Sequence, residues 1–286
     1  MMTQRIPKHP ARRWLQALLL ALAAACAAPR TAPAPAAPLR VLVYNIHAGK
    51  DAAGVDNLER VAALVAESRA DVALLQEVDR LTTRSGRVDQ IAELARRTGY
   101  HAAFGKTLDY QGGEYGIAIL SRWPVTADSL VRLPVQPAQE RAGGSYEPRG
   151  LLHATVARPT GALHVLNTHL DASGDDHYRR QEIATVLRLA GALRESGALA
   201  VFGGDLNARP NSAVLDTVRT AGWRDAWDGC GAGAGETFPA HAPDRRIDYL
   251  IVPGGVRCDS AAVLATDASD HRPVLFILTT SRSNDR

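Results

Sequence analysis

Short apolar segments recur from Leu39 to Thr279 and alternate with segments of helical periodicity. The apolar segments include "LRVLVYNIHA", "DVALLQEVD", "YHAAFGK", "YGIAILSRWPV" and "ALAVFGGDLNA". Helices are predicted for "VDNLERVAALVAESRA", for "VDQIAELARRTG" up to Gly99, from about Asp176 to Glu195, and for "SAVLDTVRTAG". No linker or internal repeat interrupts this region, so it predicts one domain over 39–279 with packed α and β layers, followed by a tail over 280–286.

The second half of this region adds further strands. "RGLLHATVARPTGALHVLNTHLD" predicts two antiparallel strands joined at "RPTGA". "RRIDYLIVP", "CDSAAVLATD" and "HRPVLFIL" predict strands near the C-terminus. The longest irregular stretch, "GCGAGAGETFPAHAPDRR", is typical of a loop that borders a site.

The N-terminal residues do not belong to this domain. Four basic residues, Arg5, Lys8, Arg12 and Arg13, precede the short apolar segment "WLQALLLALAAA". This pattern predicts a secretory signal peptide over 1–26, too short to span a bilayer comfortably. A Pro/Ala-rich linker over 27–38 follows, and such linkers stay extended, which disfavours a buried N-terminal helix.

The three cysteines carry separate predictions. Cys26 in "LAAAC" resembles the acylated residue of a bacterial lipoprotein signal, although Ala23 stands where that pattern commonly has Leu. We therefore expect an exported protein of the periplasm or cell envelope, anchored in the membrane by lipid; simple signal cleavage is the alternative. Cys230 and Cys258 are a candidate disulfide in an oxidising compartment. Two separate thiols are the alternative, because bridging requires close Cα atoms.

The charge balance limits the classes of partner. The chain has 33 basic and 30 acidic residues. Removal of the four basic residues before Cys26 leaves a mature protein near neutrality. Such a protein lacks the overall basic field expected of a non-specific nucleic-acid binder.

Polar residues stand where the apolar strands end. They are Asn45 and His47, Gln76 and Glu77, Asn167, His169 and Asp171, Asp205 and Asn207, Asp248, and Asp270 and His271. Singly, each has an ordinary structural explanation as a turn former, helix cap or surface partner. Asp248 is harder to explain in this way, since a carboxylate among apolar neighbours costs several kcal/mol unless it is paired or hydrogen-bonded.

Together these residue types suit phosphoester hydrolysis. Glu77 and Asn45 offer the oxygen ligands that a hard divalent cation prefers. His271 can hold or accept a proton if Asp248 fixes its tautomer. Asp205 would orient the attacking water, and Asn207 and His169 would donate hydrogen bonds to charge developing on phosphoryl oxygens.

At these residues the sequence resembles the endonuclease/exonuclease/phosphatase superfamily. The motifs "YNIH", "LLQEVD", "YGIAILSRWP", "NTHLD", "GGDLNARP", "RIDYLIV" and "SDHRPV" occur in the order of that family and cover about 39–278. The resemblance implies a four-layer α/β sandwich, with two packed mixed β-sheets flanked by helices, and Mg²⁺ (or Mn²⁺) as cofactor. It implies Asn45, Glu77 and Asp270 at the metal, and His169, Asn207, Asp205, Asp248 and His271 as catalytic residues.

Other residues are candidates for substrate contact. His47 departs from the acid that several DNA-repair members have at this position. Arg84, Asp89, Gln90 and Tyr115 could line the site; a solvated loop and a helix start are the alternative for this segment. Arg149 could clamp a phosphate with its planar fork, or pair instead with Glu147 or Glu140.

The sequence thus predicts an exported, monomeric, metal-dependent phosphoesterase. Neutral charge favours a small phosphoester or a lipid head group as the substrate, and nucleic acid is the alternative. A catalytically inactive module that binds a phosphorylated ligand is a rival from another class, although the set of site residues is complete. A structural envelope protein would explain Cys26 but not Asp248.

Overall fold

The computed structural model describes residues 1–3 and 37–280. Cys26, nearly all of the predicted signal peptide and the linker up to residue 36 lie outside the described residues, as does the tail from residue 281. The described residues from 37 to 280 belong to one compact unit.

Over residues 37–280, twelve strands form two six-stranded sheets. In spatial order, the first sheet holds β11 (Val256–Val263), β12 (Val274–Thr280), β1 (Leu39–Asn45), β2 (Val72–Arg80), β4 (Gly113–Ser121) and β3 (His101–Tyr110). The second sheet holds β5 (Val125–Arg132), β6 (Gly150–Arg158), β7 (Gly161–His169), β8 (Ala200–Asp205), β10 (Asp248–Val252) and β9 (Arg224–Asp225). Only the β1–β2 and β7–β8 pairs are parallel among these strands, so both sheets are mixed.

Helices cover the outer faces of the two sheets. Helices α1 (Leu58–Glu67) and α2 (Gln90–Thr98) pack on the first sheet, and α3 (His177–Glu195) and α4 (Ala213–Thr220) pack on the second. Short elements are α5 (Trp227–Cys230) and the 3₁₀ turns His47–Gly49 and Thr83–Ser85. Within the described part of the chain, no helix has the length and apolarity needed to cross a membrane. The predicted four-layer sandwich is confirmed.

The apolar core has three layers. Alternate residues of each strand face the other sheet, as Val41 and Leu74 do toward Leu152 and Leu250. The remaining residues face the helices, and Leu75 is an example. Strands buried on both faces explain the continuous apolar runs in the sequence.

The strand β5 was not predicted. Its sequence "VTADSLVR" lies at the edge of the second sheet and is largely exposed, so it lacks the apolar run that marks the central strands. The short β9 and α5 were also missed. The strand predicted over "RRIDYLIVP" begins only at Asp248.

The glycine pair before Asp205 is required by close strand packing. A Cβ on Gly203 would lie 2.3 Å from the Tyr249 carbonyl oxygen, and one on Gly204 would lie 1.9 Å from the Thr168 carbonyl oxygen. Gly204 also has a φ of +135°. Only glycine therefore lets β8 run between β7 and β10 up to Asp205.

Candidate active site

The carboxyl ends of four central strands meet at one end of the sandwich. The parallel registers place Asn45 beside Gln76 and His169 beside Asp205. Because β10 runs antiparallel to β8, its first residue, Asp248, also lies beside Asp205. A hydrogen bond of 3.2 Å from Asn45 Nδ2 to Asp205 Oδ2 joins the two sheets at this end. Polar residues far apart in sequence thus converge, as predicted.

Buried amides fix the spacing of the sheets next to this cluster. Gln76 Nε2 donates to Asn167 Oδ1 at 2.7 Å. Asn167 Nδ2 donates to the carbonyl oxygens of Leu75 and Ala118, both at 2.8 Å. These hydrogen bonds favour one arrangement of the two sheets, because breaking any of them would leave a buried polar group without a partner, which costs free energy.

His271 is seated against Asp248. Its Nδ1 lies 2.9 Å from Asp248 Oδ2, both side chains are buried, and Thr237 Oγ1 donates to the same carboxylate oxygen at 2.6 Å. The Phe238 ring lies 4.7 Å from the imidazole, centre to centre. Burial alone would lower the pKa of His271, but the carboxylates of Asp248 and Asp205 raise it by more, so the net shift is upward.

Asp205 is the centre of the cluster. Its Oδ2 lies 3.5 Å from His169 Nε2 and 3.6 Å from His271 Nε2. Burial and the charge of Asp248 raise the pKa of Asp205. Burial, Arg149 and His271 lower the pKa of His169 well below its ordinary value. Opposite shifts in neighbouring buried groups are typical of acid–base sites.

Asn207 is held over Asp205 by a left-handed backbone. Its φ is +47°, its N–H donates to Asp205 Oδ1 at 2.9 Å, and its Nδ2 donates to the Leu170 carbonyl oxygen at 3.0 Å. The amide nitrogen carries two hydrogens, so one donor is left for a ligand.

Glu77 and Asn45, the predicted cation ligands, lie side by side. Asn45 Nδ2 donates to Glu77 Oε1 at 3.0 Å. Glu77 has a φ of +55° within a β-bulge, which turns its carboxylate out of the strand pattern. Asp270 is linked to Asn45 through Ser269. Ser269 Oγ donates to the Asn45 carbonyl oxygen at 2.8 Å and lies 3.3 Å from Asp270 Oδ1. His47 Nδ1 is 3.9 Å from Asp270 Oδ1.

The donor types in this region fit a hard divalent cation. Carboxylate and amide oxygens of Glu77, Asn45 and Asp270 are the ligands that Mg²⁺ and Mn²⁺ prefer. Asp205, Asp248 and His271 form a second group whose ligand atoms lie within 4.8 Å of one another. Since His271 Nδ1 is already bonded to Asp248, we interpret this second group as an acid–base cluster. One Asp248 oxygen, Oδ1, is buried without a partner.

Two predicted substrate contacts are wrong. The Arg149 side chain is only 1% exposed, and its Nη1 donates to Glu147 Oε1 at 2.6 Å, so it cannot clamp a phosphate directly. Tyr115 is also 1% exposed and lies beneath the Arg84 guanidinium. Both side chains are buried beneath the surface of the site, so they do not reach a ligand that binds from solvent.

Arg84 remains a candidate contact. Its guanidinium makes two bonds of 2.8 Å to Asp79, lies over the rings of Tyr110 and Tyr115, and keeps 26% of its side chain exposed. Burial lowers the pKa of Arg84, but the hydrogen bonds and charge of Asp79 raise it by more, and the charge of Glu77 adds a smaller rise.

Asp89 and Gln90 do not line the site. Asp89 caps α2 by accepting the Ala92 N–H at 3.1 Å, which is the helix-start alternative. Gln90 is buried and links two loops, through the Asp79 N–H and the Ala48 carbonyl oxygen.

Three supporting residues were not singled out from the sequence. They are Asp79, Thr237 and Ser269. Thr237 and Ser269 lie in irregular segments, where periodicity gives no signal. Asp79 stands five residues before Arg84, and that spacing was the available signal for a pair.

The disulfide lies at the other end of the sandwich. The structure joins Cys230 and Cys258, whose Cα atoms are 5.6 Å apart, and so links the last residue of α5 to β11. A cavity of about 690 Å³ adjoins it; its lining includes Trp223, Arg224 and Arg257.

Comparison with known proteins agrees with this geometry. The sequence model of the Endonuclease/Exonuclease/phosphatase family matches residues 42–271. The chain belongs to this family. Its members hydrolyse phosphoester bonds, and the matched region spans every residue of the converging cluster.

Individual relatives are more distant. The chain is 27% identical over 177 residues to the uncharacterized protein YbhP of Escherichia coli K12, covering 60% of this chain and 66% of that protein, just under two thirds. It is 28% identical over 123 residues to the inositol phosphosphingolipids phospholipase C of Saccharomyces cerevisiae, covering 40% of this chain and 26% of that enzyme. The crystal structure of an endonuclease/exonuclease/phosphatase from Beutenbergia cavernae has a TM-score of 0.72 at 25% identity, covering 86% of this chain and 72% of that one.

Proposed function

We propose that this family member is a divalent-metal-dependent hydrolase of small or lipid-borne phosphoesters. The observation that carries the proposal is the convergence of His271, Asp248, Asp205 and His169 beside the Glu77–Asn45 pair. Acid–base groups and oxygen ligands in one buried cluster are what metal-assisted hydrolysis requires.

Each residue in the cluster has a definite role in this proposal. Asp205, whose pKa is raised by burial and by Asp248, orients the attacking water and accepts its proton. His271, held in one tautomer by Asp248, donates from Nε2 to a phosphoryl oxygen. Asn207 and His169 donate further hydrogen bonds to the charge that develops on phosphorus.

Glu77, Asn45 and Asp270 would hold the cation, with Mg²⁺ proposed and Mn²⁺ as the substitute. A bound divalent cation polarises a phosphoryl oxygen and screens the leaving group. Glu77 is the central ligand in this proposal, because the bulge at its backbone aims the carboxylate at Asn45.

The preferred substrate follows from charge. Without residues 1–26 the chain has 29 basic and 30 acidic residues, which does not favour a polyanion such as DNA. Similarity to a yeast phospholipase C supports a lipid head group. Hydrolysis of nucleic acid is the alternative within the same chemistry.

We also propose export and lipid attachment at Cys26, on the strength of the basic start, the short apolar segment and the "LAAAC" motif. The acylated protein would act as a monomer at the cell envelope. Mass spectrometry of the intact protein from membranes tests this: acylation adds the mass of the acyl chains to a chain that begins at Cys26, whereas simple cleavage gives the unmodified mass.

Turnover assays test the catalytic proposal. The protein is assayed with Mg²⁺, Mn²⁺ or Ca²⁺ on a phosphodiester, a phosphomonoester, phospholipid vesicles and plasmid DNA. We expect hydrolysis of a small or lipid substrate that EDTA abolishes and that His271→Ala reduces by about 10³-fold. The matched control is His164→Ala, which changes a histidine on β7 that is partly buried and paired with His153. No turnover on any substrate would favour the inactive binding module, and plasmid nicking that depends on His271 would favour the nuclease.

A further inference from the structure

Within residues 37–280, the large exposed apolar side chains lie at the end of the molecule that holds the active site. Within residues 37–280, the large apolar side chains exposed to solvent are Val55, Leu81, Val88 and Tyr146, with 61%, 47%, 38% and 38% of their surface accessible. Val55 lies on the loop 46–57 after β1, Leu81 and Val88 lie on the loop 81–89 after β2, and Tyr146 lies on the loop 134–149 before β6. We call these four residues the apolar rim.

Hydrogen bonds hold the backbone of the rim residues in place. Asp51 Oδ1 accepts the Val55 N–H at 2.9 Å, and Leu81 N–H donates to the Val88 carbonyl oxygen at 2.9 Å. Asp171, which lies two residues after His169, accepts the Tyr146 N–H through Oδ1 at 2.6 Å. Leu81 and Tyr146 have φ values of +58° and +61°, a conformation that costs energy for large side chains. The fold therefore presents apolar groups around the site at an energetic cost.

The charge of these three loops is balanced. Their five basic residues are Lys50, Arg84, Arg87, Arg141 and Arg149, and their five acidic residues are Asp51, Asp56, Asp89, Glu140 and Glu147. A net charge of zero gives no attraction for a polyanion such as nucleic acid. It suits a zwitterionic lipid surface, into which exposed aliphatic and aromatic side chains partition.

We propose that the apolar rim docks the active site onto a phospholipid surface, so that a lipid head group enters the cluster around His271. The identity of the substrate rests on the proposed function; the docking itself does not. A second copy of the chain is a poor occupant, because four side chains on three loops provide far less than the roughly 1,200 Å² that stable interfaces bury.

Vesicle binding tests the docking separately from catalysis. Residues 36–286, which hold both sheets and all three apolar layers, are sedimented with phosphatidylcholine vesicles in EDTA. We expect Leu81→Ser/Val88→Ser to lower the bound fraction per lipid about tenfold, since two adjacent anchors are lost. Val55→Ser and Tyr146→Ser should each have a smaller effect. The control Ala127→Ser/Ala262→Ser changes two exposed apolar residues on β5 and β11 and should bind as the parent does. Salt at 0.5 M should have little effect.

Each other outcome overturns the docking proposal. Parent protein that stays in the supernatant, or a Leu81→Ser/Val88→Ser variant that binds as the parent does, contradicts it. Binding only to anionic vesicles, lost in salt, would place the interaction on basic groups instead. A parent dimer that this variant dissociates in the ultracentrifuge would assign the rim to a second copy. The unfolding temperature confirms that each variant is folded. Because no turnover is measured, a protein that hydrolyses nothing would refute the proposed function and leave the docking result standing.

Discussion

The two ends of the sandwich differ in how many non-glycine residues adopt a left-handed backbone. Within residues 37–280, eight of the nine non-glycine residues with positive φ lie at the active-site end, namely His47, Ala48, Glu77, Leu81, Arg87, Gln111, Tyr146 and Asn207. Arg69 is the one at the opposite end. There the left-handed positions in turns are taken by Gly99, Gly161, Gly197 and Gly222. Left-handed backbone costs little for glycine and about 1–2 kcal/mol for other residues.

This difference between the two ends reflects a division between residues that favour folding and residues that serve the active site. Both ends have glycine turns, and the opposite end also has the Cys230–Cys258 disulfide, which favours folding. The active-site end keeps side chains such as Glu77 and Asn207 in costly conformations, because their ligand and donor groups are needed there. It also buries His271, Asp248 and Asp205 within hydrogen-bond reach of one another or nearly so.

The largest expected effect is on catalysis. Asp248→Asn should lower kcat about 10³–10⁴-fold, because the amide no longer fixes the tautomer and charge of His271. Asp259→Asn on the exposed edge strand β11 is the control and should keep full kcat. Steady-state kinetics measures both. Equal rates for the two variants would contradict a role for Asp248.

Matched glycine substitutions test the packing at the two ends. Gly204→Ala should lower the free energy of unfolding by about 3–5 kcal/mol, since its Cβ would meet the Thr168 carbonyl oxygen at 1.9 Å. Gly197→Ala at the opposite end has φ +81° but open space around it, so it should cost about 1–2 kcal/mol. Urea denaturation of both variants gives the comparison. Equal losses would show that close packing at β8 is not the limiting feature.

The buried carboxyl group of Glu182 should make the free energy of unfolding depend on pH. Burial raises the pKa of Glu182 to about 7, although its Oε2 accepts the Asp171 N–H at 2.8 Å. The folded state therefore binds this proton more tightly than the unfolded state, so the contribution is full below about pH 4.5 and is lost as the pH rises through about 7.

Glu182→Gln tests this dependence. The parent should lose up to about 3 kcal/mol of unfolding free energy between pH 4.5 and 8 from this residue, and the variant should lack that part. Denaturant titrations at both pH values measure it. Glu195→Gln, at the exposed end of α3, is the control and should follow the parent. A parallel fall in parent and Glu182→Gln would assign the pH dependence to other groups.

The smallest effects concern the backbone alone. Arg69→Gly and Leu81→Gly should each raise the free energy of unfolding by about 0.5 kcal/mol, because relief of positive φ slightly exceeds the entropy cost of glycine. Arg60→Gly within α1 should lower it by about 1 kcal/mol. Thermal denaturation distinguishes these signs. Destabilisation by Leu81→Gly would mean that the loop carries no backbone strain.

The sequence predicted the parts of the fold that depend on burial. Apolar runs marked the central strands, Gly99 marked the end of α2, and polar residues at strand ends such as His169 and Asp205 marked the site. The edge strand β5 escaped because an exposed strand has no apolar run. Asp248 was predicted correctly as paired, since an isolated carboxylate beside Tyr249 would be too costly.

Burial of long side chains could not be predicted in the same way. Arg149 and Tyr115 belong to residue types that often contact ligands, yet tertiary packing places both beneath the surface. The bulge at Glu77 and the left-handed Asn207 depend on pairing between strands, which periodicity does not encode. Thr237 meets Asp248 only because a loop folds back across eleven residues.

A crystal soaked with Mn²⁺ and phosphate tests whether the cation and the phosphate bind together at the active-site end. We expect anomalous density for Mn²⁺ at the Glu77 and Asn45 oxygens, with phosphate bound beside His271, His169 and Asn207. Phosphate in the cavity near Arg224 and Arg257 at the opposite end, with Glu77 free of metal, would contradict it.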